Sequence, residues 1–199
     1  MTIAIVDYGA GNLTSVKKAL DFLGQPSMIT ADPDQVVRSD KLIVPGVGHF
    51  AATQALCSSG LKYSVETAIG GGTPFLGICL GMQWMFTSSS EAPGVAGLGV
   101  FPGECVHFPA EVKSPHVGWN ALQIRGDSRL LCGLPAECFV YFTHSYRVPV
   151  VAPTVATCEY GGTFSAVVEK DNLFGVQFHP EKSGAVGIKL LENFCRLSC

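Results

Sequence analysis

The apolar positions of this chain fall into short runs that end at glycine-bearing turns, and helical spacing follows several of them. Ile3 to Val6 is one such run, turning at Gly9-Ala10-Gly11. From Asn12 to Leu23 the residues Leu13, Val16, Leu20 and Leu23 recur near helical spacing, with Asn12 suited to the N-cap and Gly24 as a stop. A strand is expected around Ser27 to Thr30. Leu42-Ile43-Val44 is a second run, closed by Pro45-Gly46-Val47-Gly48, and a helix is expected over Phe50 to Ser58. Pro74 to Ile78 is a third buried run, followed by a helix-compatible stretch from Leu80 to Phe86. Strand, turn and helix in this alternation predict a parallel α/β sheet.

From about Gly94 to Arg147 the character changes. Short β-like pieces (Gly99 to Phe101, Glu104 to Phe108, Leu122 to Ile124, Cys138 to Thr143) alternate with proline and glycine, which predicts an antiparallel portion in the second half. Leu173 to Phe178 reads as a last strong strand and Val186 to Leu197 as a closing helix. Gly70-Gly71-Gly72 and Ser88-Ser89-Ser90 read as short loops, neither long enough to link two domains. The expected architecture is α/β: an open, mainly parallel twisted sheet flanked by helices, within a single domain spanning 1–199.

Composition narrows the class. The 199 residues are 47% hydrophobic and 15% charged, enough to bury a sizeable core and too apolar for extended disorder. Thirteen Lys and Arg against 16 Asp and Glu give a net charge of −3, which offers no electrostatic pull toward nucleic acid or an anionic membrane. The low charge also suits a surface partly covered by another chain. No apolar run approaches the roughly 20 residues of a membrane span, and the start of the chain has no basic leader, so a cytoplasmic location is expected. The eight cysteines (Cys57, Cys79, Cys105, Cys132, Cys138, Cys158, Cys195 and Cys199) form no CxxC pair. That argues against a zinc site and against a disulfide scaffold, and leaves most thiols as small core hydrophobes.

One cysteine has a different context. In Gly77-Ile78-Cys79-Leu80-Gly81-Met82-Gln83 a buried strand meets a helix, and Cys79 stands between two glycines in a G-x-C-x-G elbow. A strained turn of this kind lifts the side chain clear of the sheet, and flanking glycines avoid the clash that side chains would make. The helix start behind it favours a thiolate and offers the Leu80 N–H to an oxyanion. A cysteine nucleophile needs a base at the same, carboxyl-terminal edge of the sheet. His179 follows the strand Leu173 to Phe178 and has a carboxylate, Glu181, two residues on to hold its tautomer. His144 ends another β-like piece and lacks such a neighbour, so His179 is the preferred base.

Three other turns were open. Gly9-Ala10-Gly11 lacks the third glycine of a dinucleotide fingerprint, since position 14 is Thr14, so no nucleotide cofactor is expected. Pro45-Gly46-Val47-Gly48 reads either as an oxyanion turn or as an ordinary one. Pro115-His116-Val117-Gly118-Trp119-Asn120 reads either as a partner surface or as a loop whose tryptophan anchors the core.

The elbow, together with Phe178-His179-Pro180-Glu181 about a hundred residues later, resembles the class I (triad) glutamine amidotransferases. Asp7-Tyr8-Gly9-Ala10-Gly11-Asn12, the Pro115 to Asn120 segment, Tyr141-Phe142-Thr143-His144-Ser145-Tyr146, and Gln177 to Gly184 narrow the resemblance. They are similar to the branch that supplies ammonia for imidazole glycerol phosphate synthesis in histidine biosynthesis. The match runs from Asp7 to Gly184. It implies a Cys79–His179–Glu181 triad that hydrolyses glutamine to glutamate and ammonia through a thioester. Leu80, Val47 and Gly48 would form the oxyanion hole, and Gln83, Glu91, His144, Ser145 and Tyr146 would hold the glutamine. Asn12, Trp119, Tyr141 and Lys182 would meet a separate cyclase subunit, a (β/α)8 barrel, in a heterodimer, since 199 residues leave no room for a barrel. The cyclase would make imidazole glycerol phosphate and aminoimidazole carboxamide ribotide. No metal or cofactor is expected. The competing readings are a stand-alone cysteine amidase or esterase, a different class I glutaminase subunit, and a non-catalytic binding subunit.

Overall fold

The computed structural model describes residues 1–197, so Ser198 and Cys199 lie outside the described residues. The chain runs β1 (Ile3–Val6), α1 (Leu13–Phe22), β2 (Ser27–Thr30), α2 (Pro33–Arg38) and β3 (Lys41–Gly46). A 3-10 turn (Phe50–Thr53) leads into α3 (Gln54–Ser58), then α4 (Leu61–Gly70), β4 (Phe75–Cys79) and α5 (Leu80–Trp84). The second half holds β5 (Ser88–Ser89), β6 (Glu104–His107), β7 (His116–Ala121), β8 (Gln123–Ile124), β9 (Phe139–His144), β10 (Tyr146–Arg147), β11 (Thr154–Glu159), β12 (Thr163–Lys170) and β13 (Leu173–Val176). A 3-10 turn (Pro180–Lys182) and α6 (Gly184–Arg196) follow.

Eight strands form one sheet in the order β2-β1-β3-β4-β13-β12-β11-β8. The pairs from β2 to β13 are parallel, and β12, β11 and β8 continue the sheet antiparallel. Period-2 alternation sends Ile3 and Ile5 to the core shared with α1 and α6, while Ala4 and Val6 enter a second core with α2 and α4. Both faces are covered, which is why the parallel strands read as continuous apolar runs.

The expected open, mainly parallel sheet is present, but its antiparallel part is placed differently. Most of the Gly94 to Arg147 pieces do not extend the main sheet; β7 pairs with β9, and β6 with β10 and β5, in two small separate sheets. The antiparallel extension comes from β8, within the expected Leu122 to Ile124 piece, and from β11 and β12, a hairpin across Gly161 and Gly162 that carried no expectation. Gly99 to Phe101 forms no strand, because its backbone instead donates from Gly99 and Phe101 to Phe86 and Met85 carbonyls. Ser88 and Ser89 pair with β6 rather than forming only a loop. The helix expected over Phe50 to Ser58 begins as a 3-10 turn, and the stretch after Cys79 stops at Trp84 rather than Phe86. Asn12 occupies the N-cap position of α1, but its side chain makes no capping hydrogen bond. Asp32 caps α2 by accepting from the Asp34 N–H, with Pro33 at the first helical position.

Two helical glycines let backbones meet at the carboxyl edge of the sheet. A β-carbon on Gly81 would run into the Val44 carbonyl oxygen, and one on Gly187 into the carbonyl oxygen of Pro180. In an open helix Gly→Ala stabilises by about 1 kcal/mol. Here the sign reverses: Gly81→Ala and Gly187→Ala are each expected to destabilise by about 3 kcal/mol, lowering Tm by roughly 6–12 °C for a chain of this size in a thermal melt.

Candidate active site

Parallel pairing builds the site. Val176 of β13 pairs with Ile78 of β4, so Cys79 at the end of β4 and His179 shortly after β13 emerge side by side although 100 positions apart in sequence. Gly46 of β3 pairs with Cys79 itself, which brings Val47 and Gly48 to the same edge. Cys79 has φ 54 and ψ −108; among the described residues only Asp171 is another non-glycine with positive φ. That strain costs of order 1–3 kcal/mol and is held by the neighbours. A β-carbon on Gly77 would lie 2.6 Å from the Gly81 carbonyl oxygen and 2.8 Å from the Met82 nitrogen, so the elbow closes backbone on backbone.

Cys79 is buried, and its sulfur lies 3.9 Å from the Thr143 carbonyl oxygen and 3.7 Å from Nε2 of Gln177. His179 is buried and its Nδ1 lies 2.8 Å from Oε1 of Glu181, whose side chain is fully buried. A buried carboxylate fixes Nδ1 as the protonated nitrogen. Nε2 is buried with no hydrogen bond of its own. Burial works against the charged imidazole, but Cys79 and then Glu181 outweigh it, and the His179 pKa is pushed up to about 10. Tyr8 lies beneath: its buried hydroxyl has no partner and rests against Gly46 beside Leu80.

The backbone of His179 is clamped as well. His179 N–H donates to the Tyr141 carbonyl at 3.0 Å, Ser183 Oγ donates to the His179 carbonyl at 2.7 Å, and the Tyr141 N–H donates to Ser183 Oγ at 3.0 Å. The motif Gln177 to Gly184 contains both Gln177 and Ser183, but nothing in its spacing shows that these two polar side chains turn inward.

A cavity of about 480 Å³ opens over Cys79. Val47, Gly48, Leu80, Gln83, Glu91, His144, Ser145 and Tyr146 all line it, so every expected oxyanion and glutamine-holding residue faces one space. Pro115, Thr143 and Lys182 complete the wall, whereas His179 and Glu181 stand behind it. Glu91 Oε2 accepts the Phe50 N–H at 2.7 Å, tying the wall to the turn after Gly48. Gln83 is not free: its Nε2 donates to the Tyr146 carbonyl at 2.9 Å and to Gln177 Oε1 at 3.1 Å.

Trp119, Tyr141 and Lys182 gather on the outer face of the β7–β9 pair. The Trp119 and Tyr141 rings meet edge-on at 6.2 Å, Lys182 Nζ sits 5.9 Å over the Tyr141 ring, and Trp119 is 55% exposed, so it does not anchor the core. Asn12 stands at the start of α1, which packs against the Pro180–Lys182 turn. Gly9 and Gly11 adopt positive φ as a tight turn. Among the described residues no group of three or more His, Cys, Asp or Glu side chains is placed to hold a metal ion, and no helix is long and apolar enough to cross a membrane. Among the described residues seven cysteines are free; besides Cys79, Cys105, Cys138, Cys158 and Cys195 are buried, and Cys57 and Cys132 exposed.

His116 and His144 are both buried, and burial is the main cause that pushes their pKa down, to about 4 and about 3. Below pH 6.5 the unfolded chain takes up protons that these folded imidazoles refuse, so stability falls as pH drops from about 6.5 toward 4. Urea melts at pH 7 and 4.5 are expected to show a loss of a few kcal/mol, reduced in His116→Gln relative to that variant's own pH 7 value.

The family model for glutamine amidotransferase class-I matches residues 4–197. The imidazole glycerol phosphate synthase subunit HisH of Methanosarcina barkeri is 45% identical over 196 residues, covering 96% of each chain. The proteins of the same name from Moorella thermoacetica (46% over 198 residues, 98% of this chain and 94% of that one) and Deinococcus radiodurans (47% over 199 residues, 98% and 93%) are similar to the same degree. Among solved structures, a crystal structure of a glutamine amidotransferase superposes with a TM-score of 0.76 at 19% identity, covering 96% of both chains. PurLQS from Thermotoga maritima gives 0.76 at 18%, covering 97% and 96%, and these two likenesses concern the fold alone. From its fold, its strained cysteine elbow and a family match across nearly its whole length, the chain belongs to the class I glutamine amidotransferases.

Proposed function

We propose that this chain is the glutaminase subunit of an imidazole glycerol phosphate synthase. The chemistry rests on one arrangement, the strained Cys79 beside a histidine braced by a buried carboxylate at 2.8 Å. The assignment to this synthase is supported by 45–47% identity to HisH proteins over almost the full chain. The Cys79 thiolate attacks the side-chain carbonyl carbon of glutamine, and the oxyanion that forms is held by the Leu80 N–H and by the backbone at Val47 and Gly48. His179, charged near neutral pH, gives its proton to the departing nitrogen, which leaves as ammonia. A glutamyl thioester remains. Water, deprotonated by the now neutral His179, attacks it and releases glutamate, restoring the thiolate and the imidazolium.

Ammonia is useful as a nucleophile only while unprotonated, so its release into water would waste it. The exposed Trp119 and Lys182 and the half-buried Tyr141, with Asn12 nearby, are the docking face for a separate cyclase, a (β/α)8 barrel that receives the ammonia in a heterodimer. The cyclase forms imidazole glycerol phosphate and aminoimidazole carboxamide ribotide. The setting is the cytoplasm, where the free thiols stay reduced.

Two outcomes test this. In a complex with purified cyclase, Cys79→Ala is expected to abolish glutamine-dependent product formation, a loss of at least 10³-fold, while ammonium salts still support the reaction. Retained glutamine-dependent turnover in that variant would contradict the triad. Separately, Tyr141→Ala removes the ring shared by Trp119 and Lys182, and is expected to weaken binding to the cyclase by about 2 kcal/mol, roughly 30-fold in Kd by calorimetry. Unchanged affinity would place the docking face elsewhere.

A further inference from the structure

A chain of buried hydrogen bonds ends on the nucleophile. Tyr146 contributes its carbonyl oxygen, which can only accept, and two side chains converge on it: His144 Nδ1 at 2.8 Å and Gln83 Nε2 at 2.9 Å. Both must donate. With Nδ1 protonated, neutral His144 can only accept at Nε2, so His116 Nδ1, 3.2 Å away, is the donor there. His116 Nε2 then accepts from Asn120 Nδ2 at 3.4 Å, on the strand that carries Trp119. On the other side, Gln83 spends its second N–H on Gln177 Oε1 at 3.1 Å, which leaves the Gln177 amino group facing the Cys79 sulfur at 3.7 Å. Gln83 and Gln177 are 4% and 0% exposed, so neither amide has bulk water as an alternative partner.

We infer that Gln177 stabilises the Cys79 thiolate by donating a hydrogen bond to its sulfur, and that Gln83 is a positioning residue that holds the Gln177 amide in this orientation through the Tyr146 carbonyl. Without the Gln83 donor, the Gln177 amide is free to turn its oxygen toward the sulfur, where one acceptor faces another. The orientation of every member follows from a single acceptor-only oxygen. His144 pins that oxygen from its other lone pair, which gives this histidine a part in the site without any proton transfer. The inference deepens the glutaminase reading and rests on Cys79 as its nucleophile.

Reactivity of the thiol tests it without glutamine turnover. The full-length chain is treated with iodoacetamide from pH 5 to 10, and Cys79 is followed by peptide mass spectrometry, which separates it from the exposed Cys57 and Cys132. His179, Tyr8 and Cys105 act electrostatically with Cys79, and all three are retained. Gln177→Leu is expected to slow Cys79 alkylation about 10-fold at pH 7 and to move the midpoint of its pH profile upward. Gln83→Leu, which removes no contact to the sulfur, is expected to slow it about 3-fold with the same direction of movement. Gln177→Glu, nearly isosteric, serves the same purpose should Gln177→Leu fail to fold by circular dichroism, with alkylation again slowed. Alkylation within twofold of the parent in the folded Gln177 variant would overturn the inference. If that result came with a Cys79→Ala variant dead toward glutamine, the triad would stand and the amide chain alone would fall.

Discussion

The close approach of bare backbone at the β3–β4–α5 junction is the constraint on which the rest depends. Gly77 meets Gly81 and the Met82 nitrogen, Gly81 meets the Val44 carbonyl, and Gly46 lies under Leu80 and Tyr8. These contacts leave Cys79 no relaxed conformation, and its φ of 54 is the consequence. The same crowding sets what surrounds the sulfur. With β3 on one side and β13 on the other, the turn at Val47 and Gly48 and the imidazole of His179 arrive in register, neither requiring a long loop to reach Cys79. A strained residue persists only where its neighbours over-determine it, and one of those neighbours, Leu80, also lines the pocket.

Burial of polar groups is the second feature that governs the site. His116, His144, Gln83 and Gln177 are all buried, and unpaired polar atoms at such positions would each cost about 1–3 kcal/mol. Their mutual hydrogen bonds remove most of that penalty, and at the same time leave each ring or amide one permitted orientation. The stacking of His116 on Tyr160, with centroids 3.9 Å apart, holds the outer imidazole in plane. Rigidity at the substrate wall is thus a by-product of satisfying buried donors and acceptors. Among the described residues five buried side-chain atoms lack a partner: Tyr8 Oη, His179 Nε2 and Glu181 Oε2 lie around Cys79 and His179, and Ser27 Oγ and Trp84 Nε1 are the other two.

Much of the site was legible because its residues are signalled locally. Two glycines two residues either side of Cys79 announce a turn that ordinary side chains cannot make, and a carboxylate two residues after His179 announces its brace. The parallel core strands were legible because burial on both faces makes them continuous apolar runs. What stayed hidden depends on distant pairing. The hairpin β11–β12 alternates Val155, Cys158 and Phe164 with polar residues at its edges, and only its neighbours reveal that most of it is buried. Helix α4 does carry the spacing Leu61, Val65, Ala68 between glycines, and α2 carries an Asp-Pro-Asp start, so both were readable signals left unread. Gln177 and Ser183 were different: nothing in the sequence says which way a polar side chain beside a catalytic histidine points.

Tyr141 shows why the proposed docking face and His179 cannot be treated as separate parts. Its ring lies on the outer surface against Trp119 and under Lys182, while its backbone N–H and carbonyl are both committed to the turn that carries His179. Sliding β9 along that turn would break the bond from His179 N–H and the bond to Ser183 together, and Ser183 also holds the His179 carbonyl. The two bonds sit on one residue, so neither can adjust alone. Gly187 closes the other side by seating α6 directly on Pro180. His179 is therefore located by β9, whose outer face carries the half-buried Tyr141 against the exposed Trp119 of β7, and any chain that buries Trp119 and Tyr141 is seated on the element that fixes His179.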